Sequence, residues 1–280
     1  DPRVQKAINC IQSEETTDLA VKRLRENGID RVNFDLIYGL PYQTVESCIE
    51  TVRASLSMRP DRFSVFGYAH IPSFKKHQRL INEDALPGAE ARNEQAEAIA
   101  ATLVTAGYMR IGLDHFALPG DELALAANTG ELRRNFQGYT TDPCENLLGF
   151  GASAIGRLQD GYAQNEVPPG LYAKRVSEGS LATTKGYRLA VEDRLRADVI
   201  ERLMCDFVAD VGAISALHGF GPELLLAGNA SLRAMADDGV VSIEGGVVRL
   251  ICKDRFLIRA VASTFDAYLP EIQRTFSKAA

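Results

Sequence analysis

Two short β-rich runs separated by a single helical segment constrain this chain more than any other feature. Residues 31–38 place Val32, Phe34 and Leu36 on one face, and Gly39, Leu40 and Pro41 break the run. Thr44 can cap a helix through about residue 56, with Ile49, Val52 and Leu56 facing inward. Residues 62–68 supply the next strand, Phe63 and Val65 alternating against Ser64 and Phe66. Strand, helix and strand at this length form a βαβ unit, so the strands are expected to be parallel with a right-handed crossover. In barrels and open α/β sheets alike, ligands bind beyond the C-terminal ends of such strands. Asp35, Tyr38, Tyr68, Ala69 and His70 lie at or near those ends. Asp35 interrupts an otherwise apolar strand, and a carboxylate pointing into a barrel is costly unless something polar meets it, which favours a functional role.

The flanking segments extend this pattern. Val4, Ala7, Ile8 and Ile11 mark an opening amphipathic helix, and residues 15–26 a second one stopped by Asn27-Gly28. A long helix is expected over 90–105, then a strand over 108–113 leading into Asp114, His115 and Phe116. Residues 147–155 are small and glycine-rich, which suits close approach to a ligand or a neighbouring strand. Pro168, Pro169 and Gly179 punctuate the passage to a helical region with Val199, Leu203 and Phe207, then a helix over 224–235. A hairpin turning at Gly245-Gly246 and a final helix over 255–269 complete a winged-helix-like outline. The expected division is 1–165 and 166–280.

A net charge of -6 over 280 residues argues against a broad nucleic-acid surface, although a few converging arginines could still attract a small anion. The longest nearly uncharged run, 98–109, is too short to span a bilayer, and no apolar signal core opens the chain. The start at Asp1, in mid-pattern, reads as a cut inside a longer protein. Five scattered cysteines (Cys10, Cys48, Cys144, Cys205, Cys252) with no C-x-x-C spacing indicate reduced, cytoplasmic usage and no metal site.

The segment N-F-Q-G-Y-T-T at 135–141 follows Arg133 and Arg134 and precedes Asp142-Pro143. It suits either a loop pressed against a flat, polar-rimmed ligand or a structural turn with Tyr139 in the core. Asp114 and His115 resemble an acid-base pair, but adjacent residues on a strand point apart, so a buried structural histidine is the better reading. For His70, ligand and turn-stabilising roles are equally open. Lys75, Lys76 and Arg79 form either a solvated face or a lure for carboxylates. Gly149 and Gly151 do not fit a dinucleotide fingerprint.

Taken together, N-F-D-L-I-Y-G-L-P (33–41), F-G-Y-A-H-I-P (66–72), G-L-D-H-F-A (112–117), N-F-Q-G-Y-T-T (135–141) and G-A-S-A-I (151–155) resemble the oxygen-independent coproporphyrinogen III oxidases. These are radical S-adenosylmethionine (SAM) enzymes of haem synthesis, and the likeness covers essentially the whole chain. It implies an α/β fold: the C-terminal half of a partial (β/α) radical-SAM barrel followed by a mostly helical, winged-helix-like domain. It also implies SAM and a 4Fe-4S cluster as cofactors, coproporphyrinogen III as substrate, a reductant as partner, and a cytoplasmic monomer with neither nucleic-acid nor membrane binding. At matching positions, Asp35, Ala69 and Ile155 correspond to SAM contacts, and Phe136 and Gln137 to residues of catalysis or ligand placement. The resemblance implies that these five face one cavity. Two departures stand out: the family's C-x-x-x-C-x-x-C cluster motif is absent, and Cys10 follows Asn9 where the family often has an arginine. The chain by itself is therefore expected to hold no cluster and to perform no radical chemistry, being the C-terminal part of the enzyme. The rival readings are a haem chaperone of the same superfamily and a winged-helix nucleic-acid-binding protein.

Overall fold

The computed structural model describes residues 1–136 and 138–269. The chain divides into two compact units, Asp1–Gly130 and Glu131–Leu269.

In the first unit, α1 (Pro2–Ala7) and α2 (Glu14–Glu26) precede β1 (Asn33–Tyr38), α3 (Val45–Ser57) and β2 (Arg62–Gly67). Two 3-10 turns, Lys76–Leu80 and Glu83–Ala85, lead to α4 (Ala89–Thr105), β3 (Met109–Ile111), β4 (His115–Ala117) and α5 (Glu122–Thr129). The βαβ unit forms as the sequence predicts: β1 and β2 are parallel, with Asp35 opposite Ser64 and Tyr38 opposite Gly67. Thr44 caps α3 reciprocally with Ser47: its Oγ1 accepts from the Ser47 amide at 3.2 Å, while its own amide donates to Ser47 Oγ at 3.0 Å. Three expectations shift. The opening helix stops at Ala7, leaving Ile11 exposed. The inward stripe of α3 is Ser47, Cys48, Val52 and Ser55, with Ile49 and Leu56 only half-buried. The predicted strand over 108–113 is a three-residue strand that turns back at once, so the sheet order is β1-β2-β4-β3 with β4 antiparallel to both neighbours.

Phe63, fully buried, is the hub of this unit's core, with Phe34 edge-on at 6.1 Å and Tyr108 at 5.2 Å between ring centroids. Arg62 forks onto Asp121 and Glu122, each at 2.8 Å. Asp121 also caps α5 through the Leu123 amide, so one carboxylate anchors both the start of β2 and the last helix.

The second unit opens on the hairpin β5 (Arg133–Asn135) and β6 (Gly138–Thr140). Strands β7 (Ile155–Leu158), β8 (Gly161–Asn165) and β9 (Thr183–Arg188) form an antiparallel sheet, with α6 (Pro169–Ser177) between β8 and β9. There follow α7 (Val191–Asp206), β10 (Val208–Asp210), α8 (Val211–Leu217), α9 (Glu223–Leu226), α10 (Ala230–Asp237), β11 (Val241–Glu244), β12 (Val247–Leu250) and α11 (Leu257–Ser263). Leu195, Val199 and Leu203 stack at four-residue spacing along α7, fully buried with Val248, Ile258, Val261 and Phe265. The hairpin β11–β12 turns at Gly245-Gly246, whose φ angles of 58° and 85° are those a two-residue turn of this type needs. The helix expected over 224–235 is broken at Gly228 (φ 83°), after which Asn229 caps α10 through the Leu232 amide. The last helix is shorter than expected, ending at Ser263 within the described residues.

Phe63→Ala is expected to cost about 3–5 kcal/mol of stability, read from urea unfolding, because the fully buried hub ring packs between Phe34 and Tyr108.

Candidate functional site

The C-terminal ends of β1 and β2 are held by side-chain amides. Gln95, 1% exposed on α4, accepts from the Gly39 amide at 2.9 Å and donates to the Gln43 carbonyl at 2.8 Å. Gln43 in turn accepts from the Leu40 amide and donates to the Ile37 carbonyl. The loop after β2 is held the same way: buried Gln78 accepts from the Ile71 amide at 2.6 Å and donates to the Ala69 carbonyl at 2.8 Å. A neutral amide carries both a donor and an acceptor, so it can satisfy two backbone groups that have left the sheet ladder. Arg92 of α4 completes the arrangement by donating to the Tyr68 carbonyl at 2.9 Å. Its guanidinium crosses both strand ends, and a Cβ at Gly67 would lie 3.0 Å from Nη2. Glycine at position 67 is what leaves room for the arginine.

Next to this mouth, one face of the sheet carries a polar row. Asp35, Ser64 and His115 lie opposite one another across β1, β2 and β4, with Ile37 and Phe66 in the next row. Asp35 is exposed; its Oδ1 accepts from Asn33 Nδ2 at 2.7 Å, and Ser64 Oγ donates to Asn33 Oδ1 at 3.2 Å. His115 is buried as expected, but Asp114 does reach it, with Oδ1 2.7 Å from Nδ1. Asp114 sits in the turn between β3 and β4 and not on a strand, which frees its side chain to fold back on its neighbour. His70 bridges Tyr68 Oη (3.2 Å) and Glu83 Oε1 (3.0 Å), tying the end of β2 to the second 3-10 turn. Burial raises the Tyr68 phenol above its usual range. Ala69 is exposed at the same end. Lys75 lies over the Phe74 ring and Arg79 donates to the Pro72 carbonyl on the loop beyond.

In the second unit, the structural-turn reading of the 135–141 segment holds for Tyr139. Asn135 pairs with Gly138, which puts Phe136 at the tip of the hairpin. Tyr139 is buried and its hydroxyl donates to the Met204 carbonyl at 2.9 Å, the structural turn of the sequence reading. Phe136 is 57% exposed and meets Tyr162 of β8 edge-on at 5.4 Å. Gln137 lies outside the described residues. Tyr162 and Gln164 share a face, and Ile155 stands directly opposite Gln164, so Phe136 and Ile155 belong to the same side of the β7–β8–β9 sheet. Arg133 and Arg134 are engaged locally: Arg133 pairs with Glu201 at 3.5 Å, and Arg134 lies over the Tyr139 ring. The close approach expected of the glycine-rich segment is to a neighbouring strand: a Cβ on Gly156 would lie 2.9 Å from the Leu147 carbonyl oxygen.

These cysteines do not fit an iron-sulfur cluster. Burial pushes the Cys48 thiol up to about 11 and that of Cys205 up to about 12, keeping both protonated, and Cys10 and Cys144 are exposed. No group of three or more His, Cys, Asp or Glu residues fit for a metal occurs among the described residues. None of the described helices is long and apolar enough to cross a membrane.

No family model matches the chain. Individual relatives do. The oxygen-independent coproporphyrinogen III oxidase of Thermostichus vulcanus is 40% identical over 282 residues, covering 100% of this chain and 87% of the relative. The chain belongs to the oxygen-independent coproporphyrinogen III oxidase family. The oxidase of that name from Bradyrhizobium diazoefficiens is 57% identical over 279 residues, all of this chain and 62% of the relative. Among solved structures, the coproporphyrinogen III oxidase of Escherichia coli, described as a radical SAM enzyme, superposes with a TM-score of 0.90 at 40% identity, over 96% of this chain and 62% of that one. The chain thus spans about three fifths of the length of several oxidase relatives.

The sequence reading missed Gln43, Gln78, Arg92 and Gln95 as parts of the site. Arg92 and Gln95 lie on a helix with no local motif, and only their opposition to glycine-containing strand ends could have suggested them. Gln95→Leu is expected to leave the Gly39 amide and the Gln43 carbonyl without partners, costing about 1–3 kcal/mol for each group in urea unfolding.

Proposed function

We propose that the protein performs the oxygen-independent oxidation of coproporphyrinogen III, converting two propionate arms to vinyl groups and giving protoporphyrinogen IX. The observation that carries this reading is the Thermostichus vulcanus relative, matched over most of its own length. Each conversion releases carbon dioxide, one proton and two electrons, so the reading requires an electron acceptor and, as a radical SAM enzyme, a reductant. When bound, SAM would supply the radical that removes hydrogen from a propionate arm. The chain's own residues hold and orient. The exposed Asp35 carboxylate is the acceptor proposed for SAM hydroxyls, beside an apolar floor of Ile37 and Phe66, a pairing that fits a nucleoside. Ala69, at the end of β2, and Ile155, at the start of β7, are the other proposed SAM contacts. Phe136 and Gln137 are proposed to place the substrate, Phe136 through its exposed ring. No step is assigned to a cluster, since these cysteines do not fit one.

The mixed sheet of the first unit is read as part of a radical-SAM barrel. The order α7, β10, α8, α9, α10, β11, β12 is read as a winged-helix-like module used for packing. Its local charge supports packing over nucleic-acid binding: Arg255 lies over the Phe207 ring, and Asp237, Asp238, Glu244 and Asp254 surround the remaining cations in sequence. We place the protein in the cytoplasm as a monomer. A haem chaperone is the alternative within the superfamily.

Anaerobic incubation of the intact protein with coproporphyrinogen III, SAM and a reductant is expected to yield protoporphyrinogen IX. Stoichiometric haem binding without turnover would favour the chaperone instead. Asp35→Ala is expected to lower kcat/KM for SAM by about tenfold or more, since a charge-assisted hydrogen bond contributes about 1.5–3 kcal/mol. Unchanged SAM kinetics would remove Asp35 from the site.

A further inference from the structure

We propose that Arg157 and Lys185, on one face of the β7–β8–β9 sheet, bind carboxylate arms of the tetrapyrrole substrate. This rests on the coproporphyrinogen III reading and assigns cations to a ligand that carries four carboxylates.

The strand register gathers rings, an amide and two cations on one side of this sheet and a row of glycines and alanine on the other. Arg157, Tyr162 and Tyr187 stand opposite one another in one row, and Ile155, Gln164 and Lys185 in the next. Directly opposed residues sit about 4.5–5.5 Å apart at Cβ, so Arg157 borders Tyr162, and Lys185 borders Gln164. Phe136 adds its exposed ring at the edge of Tyr162. On the reverse side, Gly156, Ala163 and Gly186 form a row with almost no side-chain bulk. The furnished face therefore combines aromatic surface, an amide and two cations, while the reverse side carries Arg188 and Leu158 beyond its bare row.

Charge marks the same two residues on this face, although Arg188, Arg233, Arg249, Lys253 and Arg259 elsewhere in the unit also form no ion pair among the described residues. In this unit Arg133, Arg175, Arg194, Arg196 and Arg202 each lie within 3.7 Å of a carboxylate. Arg157 and Lys185 form no ion pair among the described residues, although the chain carries an excess of acids, with net charge -6. Arg157 is only half-exposed, so its guanidinium is partly removed from water without an ionic partner. A ring-bearing polycarboxylate fits this set: its macrocycle would rest against Phe136 and Tyr162, and its acid arms would reach the cations.

The test uses the intact protein with coproporphyrin III, a fluorescent tetracarboxylate that is not turned over, and its neutral tetramethyl ester. The native protein is expected to bind the acid at least about tenfold more tightly than the ester. Arg157→Gln is expected to weaken acid binding about tenfold and the more exposed Lys185→Gln about threefold, with ester binding unchanged. Arg157→Lys should recover part of the loss, and thermal unfolding of each variant should match the native protein. In turnover, both Gln variants should raise KM for coproporphyrinogen III and leave kcat nearly intact. Equal binding of acid and ester, or native acid affinity in both folded Gln variants, would overturn the assignment while native turnover left the oxidase reading standing. If the native protein neither binds nor converts the tetrapyrrole, the oxidase reading itself fails and the assignment with it.

Discussion

Everything around the candidate site depends on how the backbone is satisfied where two parallel strands end. At Tyr38 and Gly67 the ladder stops, and the amides and carbonyls that emerge need partners of another kind. Gln43, Gln78 and Gln95 supply those partners with neutral amides, so no buried charge has to be compensated. Arg92 then crosses the strand ends over Gly39 and Gly67 and holds the Tyr68 carbonyl. The result is a held rim that displays Ala69 beyond the end of β2, while Asp35 lies three residues before the end of β1, opposite Ser64.

Rigidity of this kind is costly to lose and invisible to local patterning. The alternation of Val32, Phe34 and Leu36, the Thr44 cap and the Phe63–Val65 run were legible because each is a short-range signal with a fixed period or a fixed cap chemistry. The Gly245-Gly246 hairpin was legible for the same reason. The antiparallel return of β3 and β4 was not, since three-residue strands give alternation too little length to register. Nor was the pairing of Gly39 with Gln95, 56 residues apart, because nothing near either residue announces the other. Asp114 and His115 show how a strand rule misleads when one partner lies in a turn.

The 135–141 segment divides its labour in a way composition alone left open. Its buried tyrosine fixes the hairpin to the helical body through the Met204 carbonyl, and that anchor is what allows Phe136 to stand out at the tip. The neighbouring sheet repeats the pattern: Gly156, Ala163 and Gly186 form a bare row on one side, while Tyr162, Tyr187, Arg157 and Lys185 share the other. Membership of the coproporphyrinogen III oxidase family gives these features a common context.

Hydrogen exchange at single amides tests the central claim, that buried glutamines hold the strand ends, most directly. The amides of Gly39 and Ile71, which donate to Gln95 and Gln78, should exchange as slowly as those inside β1 and β2, although both lie in loops. Exchange at the rate of an open loop, with β1 and β2 still protected, would contradict it.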